Sequence, residues 1–99
     1  MAMEKNDDSE HGFAVTAAYH RIAYVRGDPT SAAGLNVFVD SYKSKADRDA
    51  GVKAFRRREY QGIVIDWAAG APGARLYTQI KASNQNDAFF SADVTDVLE

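Results

Sequence analysis

The sequence predicts a single α+β domain: a three-stranded antiparallel sheet with one short and one longer helix, in the order ββαβα. Three observations lead to this fold class. Apolar and polar residues alternate with the period of a strand in the first half of the chain and again after a basic run. A later segment changes to the period of a helix. The 99 residues, 45% of them hydrophobic, suffice for one modest core.

The predicted domain spans residues 13–97. Residues 1–12 are polar and mostly acidic and have no hydrophobic period, so we expect a disordered N-terminal tail. This segment lacks the apolar stretch of a secretory signal, and no stretch of the chain has membrane-spanning length. Leu98-Glu99 matches what a common cloning site leaves before a histidine tag, and is set aside because it could be a tag remnant.

The first two strands are predicted on either side of a turn. Residues 13–25 are rich in β-branched and aromatic residues, but the apolar face changes near His20, which indicates a bulge or burial on both faces. The link at residues 27–31 has turn chemistry and is short, which favours antiparallel pairing. Residues 35–42 then alternate, and one apolar face carries Leu35, Val37 and Val39.

A short helix and a third strand follow. Ser44, with a carboxylate three residues later at Asp47, is a variant of the capping box, and Gly51 ends the helix. The third strand begins as early as Phe55. Its predicted core face carries Ile63, Ile65 and Trp67, so we expect the only tryptophan to be buried against the longer helix.

The longer helix is predicted over residues 74–82. Pro72 is placed to start it, and one side carries Leu76, Tyr77 and Ile80. Beyond it, two adjacent phenylalanines need a hydrophobic environment. Because neighbouring residues cannot both enter one core from a strand, we expect Phe90 to anchor this segment and Phe89 to stay partly exposed for a partner.

The residues give no sign of an enzyme or of a cofactor site. His11 and His20 are the only histidines, and a cross-strand or surface packing role suits His20 better than catalysis. There is no cysteine, so thiolate metal sites are excluded. The glycines of the segment 70–73 lack the spacing of a phosphate-binding loop. We therefore expect no catalytic residues, no metal and no cofactor.

We therefore expect the protein to act through contacts between its surface and partner molecules. One helix can cover one face of the sheet, and the other face would carry aromatic residues, among them Phe38 and Tyr42. The concentrated basic feature consists of Arg56, Arg57 and Arg58, with Tyr60 close by. This feature could bind phosphate. We favour the interpretation that it is a solvent-exposed basic patch at the edge of a strand, because the net charge of the chain is −2. The predicted interaction residues are Arg56, Arg57, Arg58, Tyr60, Phe89, Phe38 and Tyr42.

Short motifs spread over residues 14–94 carry a family resemblance. They are Ala18-Tyr19-His20-Arg21-Ile22, Val37-x-Val39, the segment from Tyr42 through Arg48 to Gly51, Leu76-Tyr77-x-x-Ile80-Lys81, and Phe90-x-Ala92-Asp93-Val94. In these the chain resembles small proteins encoded among the tail and structural genes of tailed phages and prophages. The third strand and the arginine run depart from the pattern.

The resemblance implies a virion or assembly component, such as a tail protein, with no enzymatic role. Its partners would be other phage structural proteins or further copies of itself, and no membrane is implied. It would be found in the bacterial cytoplasm during assembly, and in the virion if it is incorporated. The alternative is a small nucleic-acid-binding or regulatory module that uses the basic patch from Arg56 to Arg58.

Overall fold

A computed structural model describes residues 2–8, 14–27, 34–64 and 72–97, whose strands form one five-stranded antiparallel sheet. The strands are β1 (Ala2–Asp8), β2 (Ala14–Arg26), β3 (Leu35–Tyr42), β4 (Arg56–Ile63) and β5 (Thr95–Val97). They are ordered β4-β3-β2-β1-β5 across the sheet, and each neighbouring pair is antiparallel. The helices are α1 (Lys45–Asp49), α2 (Pro72–Ala82) and α3 (Gln85–Ala88), and a 3₁₀ turn follows at Phe89–Ser91.

The predicted three-stranded sheet with two helices in the order ββαβα is wrong, because β1 and β5 both join the sheet and α3 follows α2, so the order of the described elements is βββαβααβ. β1 lies in the segment for which composition predicts a tail, yet Ala2 and Met3 are fully buried. The hydrophobic pattern does not show this strand, because one of its inward-facing residues is charged. That residue is Asp7, which an arginine neutralises in the interior. β5 has three residues, too few to show a period.

β2 contains two irregularities, but neither lies at His20, where the register with β3 is continuous and the predicted change of face reflects burial on both faces. The register between β1 and β2 shifts at Ala17, whose φ of +50° is left-handed, and a second shift separates Ile22 from Tyr24. These are β-bulges, in which extra residues on one strand re-aim the side chains that follow. As a result Ile22 packs against the core while Tyr24 points to the opposite face.

The hydrophobic core lies between one face of the sheet, here called the core face, and α2 with the 3₁₀ turn. The alternation predicted for β3 and the helical side predicted for α2 are both confirmed. Phe90 joins them at 1% exposure, as predicted. The buried residues of this core are Met3, Leu35, Val37, Val39, Tyr60, Ile63, Leu76, Tyr77, Ile80 and Phe90.

The predicted limits of the short helix are also confirmed. The backbone N–H of Asp47 donates to Ser44 Oγ at 3.2 Å, which is the expected N-cap contact. At the other end Gly51 has a φ of +78°, and the N–H groups of Gly51 and Val52 donate to the carbonyls of Arg48 and Asp47. This is a Schellman motif, which needs a residue that tolerates the left-handed region.

The third predicted strand corresponds to β4. It begins at Arg56, one residue after the earliest predicted start, and ends at Ile63. Ile65 and Trp67 lie outside the described residues, so the burial of Trp67 stays a prediction.

Candidate interaction surfaces

The arginine run does not form one basic patch, because β4 is a strand and its successive side chains point to opposite faces. Arg57 is paired in register with Asp40 and lies on the face away from the core, here called the aromatic face. Arg58, paired in register with Val39, lies on the core face, and so does Arg56. The side chain of Arg58 is 8% exposed, whereas that of Arg57 is 49% exposed.

Arg58 forms a buried ion pair with Asp7, although β2 and β3 lie between their strands. Its two terminal nitrogens donate to the two carboxylate oxygens at 2.9 and 3.0 Å, and Arg56 Nε stands 3.7 Å from the same carboxylate. The guanidinium lies 3.8 Å from the ring centroid of Phe89. A bidentate pair of this kind is geometrically specific, so it fixes β1 against β4 across the core face.

His20 and Ser41 form the second part of this buried polar cluster. The Ser41 hydroxyl lies 2.6 Å from His20 Nδ1, and His20 Nε2 lies 3.1 Å from the Lys5 carbonyl oxygen. Burial lowers the pKa of His20 from 6.5 to about 4, so the ring is neutral near pH 7. A neutral ring donates from Nε2 to the carbonyl and accepts the hydroxyl proton at Nδ1.

A hydroxyl that donates to a neutral imidazole resembles a nucleophile and its base. However, His20 and Ser41 are both 0% exposed, and the rings of Phe90 and Phe89 stand edge-on to the imidazole at 5.0 and 5.7 Å. No substrate can reach the hydroxyl in this arrangement. The pair therefore links β1, β2 and β3 by hydrogen bonds, in keeping with the cross-strand role expected for His20.

The aromatic face carries a stack of two rings with an arginine over it, in which Tyr24 is exposed and Phe38 is buried. Tyr24 and Phe38 lie parallel, with centroids 4.4 Å apart and planes at 13°, and the Arg57 guanidinium is 5.1 Å from the Tyr24 centroid. Arg57 also donates to both carboxylate oxygens of Asp40, at 2.6 and 2.8 Å, which raises its pKa. Tyr24 is 40% exposed, so the stack presents an aromatic surface to solvent.

Further polar and aromatic groups extend this face. Tyr42 lies 6.4 Å from the Tyr19 ring, and burial, with a contribution from Asp40, raises the pKa of Tyr42. A cleft of about 250 Å³ opens beside the stack and is lined by Arg21, Ile22, Ala23, Asp40, Tyr42 and Arg48. Three predicted interaction residues therefore come together on the aromatic face, namely Arg57, Phe38 and Tyr42.

The other four predicted interaction residues lie on the core face. Arg56 and Arg58 converge on Asp7, and Phe89 is partly buried over Arg58. Tyr60 is 0% exposed, and its burial raises the pKa of its hydroxyl to about 12. The sequence groups these residues because they are close in the chain, but strand alternation and the ion pair separate them from the aromatic face.

The edge of β4 is held by two amide side chains that sequence reasoning did not single out. Gln61 N–H donates to Gln85 Oε1 at 2.8 Å, and Gln85 Nε2 donates back to the Gln61 carbonyl at 2.7 Å. Asn86 Nδ2 donates to the Glu59 carbonyl at 2.9 Å. We call this pair of side chains the amide clamp. The next residues, Asp87 and Ala88, have left-handed φ angles, as Asn86 does, and the resulting turn brings the amides to the edge.

The described residues were also compared with the requirements of a metal site and of a membrane-spanning helix. Within residues 2–8, 14–27, 34–64 and 72–97, no three His, Asp or Glu side chains are grouped closely enough to hold a metal ion. None of the helices in these ranges is long and apolar enough to cross a membrane.

Comparison of the chain with protein-family models, with curated proteins and with solved structures gives no match.

Proposed function

We propose that this protein is a structural or assembly protein that acts through protein–protein contacts, with the aromatic face as its contact surface. The observation that supports this most is the exposed ring of Tyr24, which is stacked on the buried ring of Phe38 and has Arg57 over it. Tyrosine and arginine are enriched among the residues that dominate binding energy at protein interfaces. Two hydrogen bonds to Asp40 hold the side chain of Arg57, so this arginine loses little side-chain entropy when a partner covers it.

The biological setting that we propose is the assembly of a tailed phage or prophage particle. It follows from the resemblance in the motifs between residues 14 and 94. The partners are other structural proteins of the particle or further copies of this chain. The protein would act in the bacterial cytoplasm during assembly and could remain in the virion.

Purified particles from an induced lysogen that encodes the protein would test this setting. We expect the wild-type chain in particles or in assembly intermediates by mass spectrometry, and a Tyr24→Ser variant to be depleted from them by about tenfold or more. Val64→Ser is the matched control, because it removes another exposed hydrophobic side chain, 54% exposed, at the end of β4. A gene with no phage neighbours and a protein absent from every particle fraction would contradict the proposal.

The ion pairs weigh against the nucleic-acid alternative. Arg57 is bound to Asp40 and Arg58 to Asp7, so two of the three charges are already neutralised within the fold, and they face opposite ways. Phosphate binding would show as an affinity for DNA or RNA that falls steeply with salt. We expect low-salt titration to detect no such binding, and an affinity that Arg57→Ala weakens would instead favour the alternative.

A further inference from the structure

The amide clamp occupies the place of a neighbouring β-strand. Among the strands that the structure describes, β4 lies at the edge of the sheet, so alternate residues turn their backbone N–H and C=O groups outward. The bonds to the clamp show that Glu59 and Gln61 are such residues, and Arg57 follows by alternation. The Gln85 amide bonds both groups of Gln61, as the peptide group of a paired strand would.

Two features of the clamp favour its opening. Its amides belong to a turn in which Asn86, Asp87 and Ala88 are all left-handed, a conformation that is unfavourable for alanine in particular. Asn86 and Gln61 are exposed, so water competes for these hydrogen bonds. Opening the clamp would relieve the strained turn and leave the outward edge of β4 free to pair.

The side chains of β4 favour one particular occupant, the same edge of a second copy. An antiparallel pair centred on Arg58 places Arg57 of each copy, which already binds Asp40, opposite Glu59 of the other, so that each guanidinium lies between two carboxylates on the aromatic face. The two Arg58 side chains then meet on the core face, where Asp7 of their own chain already neutralises each of them. Arg57 and Glu59 are both outward residues, so this register also satisfies the backbone.

We propose that the edge of β4 from Arg57 to Gln61 is a self-association site that the amide clamp holds closed. When the clamp opens, two copies pair through this edge, and their sheets and aromatic faces become continuous. The inference does not rest on the proposed function, since it concerns the edge rather than the aromatic face and is tested with the purified chain alone.

Sedimentation equilibrium of clamp variants tests the proposal. The double variant Gln85→Ala with Asn86→Gly removes both amides, and glycine keeps the left-handed turn accessible. We expect it to dimerise with a dissociation constant at least tenfold lower than that of the wild type. Asp87→Gly is the matched control, because it changes the same turn at a side chain that does not bond β4 in the structure, and it should behave like the wild type.

A charge reversal then tests the register. Adding Glu59→Arg to the clamp-free variant places like charges opposite each other, and we expect the dimer affinity to fall back at least tenfold. Glu59→Gln, which removes this charge without reversing it and leaves the pair of Arg57 and Asp40 in place, should lower the affinity less. The proposal would be overturned if the clamp-free variant dimerised no more tightly than Asp87→Gly, or if it formed open-ended assemblies that Glu59→Arg does not weaken. It would also be overturned if circular dichroism showed that both the double variant and the single variant Gln85→Ala are unfolded.

Discussion

The buried ion pair of Asp7 and Arg58 allows a direct test of the fold, because it joins β1, the strand that the composition does not predict, to β4 on the other side of the sheet. We consider Asp7→Asn, which keeps the size of the side chain and removes its charge. The carboxylate is 4% exposed and the guanidinium 8% exposed, and two hydrogen bonds of 2.9 and 3.0 Å connect them. The substitution therefore leaves a nearly buried guanidinium without its counter-ion.

The expected loss of stability is about 3–5 kcal/mol, the range measured when one partner of a buried ion pair is removed. A domain of this size has a total stability of roughly 5–15 kcal/mol. The variant should thus be close to unfolding at room temperature or have a Tm lower by roughly 12 °C or more. Replacing both partners, with Asp7→Leu and Arg58→Met, should cost less than the sum of the single changes, because neither charge is then left alone.

Urea unfolding monitored by circular dichroism measures these free energies. The matched control is Asp49→Asn, since Asp49 pairs with Arg48 at a similar distance of 3.0 Å but with side chains 52% and 33% exposed. Exposed pairs of this kind contribute about 1 kcal/mol or less. If Asp7→Asn cost no more than this control, the pair would be solvated and β1 would not be held by it.

Two further predictions follow from the same cluster. Phe90→Ala should lower the free energy of unfolding by about 3–5 kcal/mol, because the ring is buried. Phe89→Ala should lower it by about 1–2 kcal/mol, because the ring contacts Arg58. Equal losses of the two variants in urea unfolding would contradict this difference. The pKa of His20 is 6.5 in the unfolded chain and about 4 in the fold, so the unfolded state binds more protons between these two pH values. The contribution of His20 to stability is therefore complete above pH 6.5, and the free energy of unfolding falls by about 3 kcal/mol as the pH drops to 4. A His20→Gln variant should lack that part of the acid loss, and an equal loss in the variant would assign it to other groups.

Local patterns predict the elements that have a clear period. The alternation in β3, the cap at Ser44, the end of α1 at Gly51 and the apolar side of α2 all lie where the sequence places them. In each case the physical cause is local, because it depends on residues two to four positions apart. Phe90 is buried as expected, although Phe89 also packs against the core at partial burial.

The elements that sequence reasoning missed depend on contacts between distant positions. β1 can be strand because Asp7 meets Arg58, 51 residues away, and no local pattern shows that pairing. The same holds for the surfaces. The arginine run looks like one basic patch until strand alternation is combined with the positions of Asp7 and Asp40 in the sheet. The amide clamp requires a left-handed turn, which the segment around Asn86 and Asp87 permits but does not specify.

The central claim is that the aromatic face contacts another protein, and site-specific photo-crosslinking tests it most directly. A photoreactive phenylalanine derivative would replace Tyr24 in cells that produce particles, and the matched control would carry it at Ala82, an exposed position on α2. We predict that position 24 crosslinks to a defined particle protein or to a second copy, and that position 82 does not. Equal crosslinking at both positions, or no protein crosslink at position 24, would contradict the account.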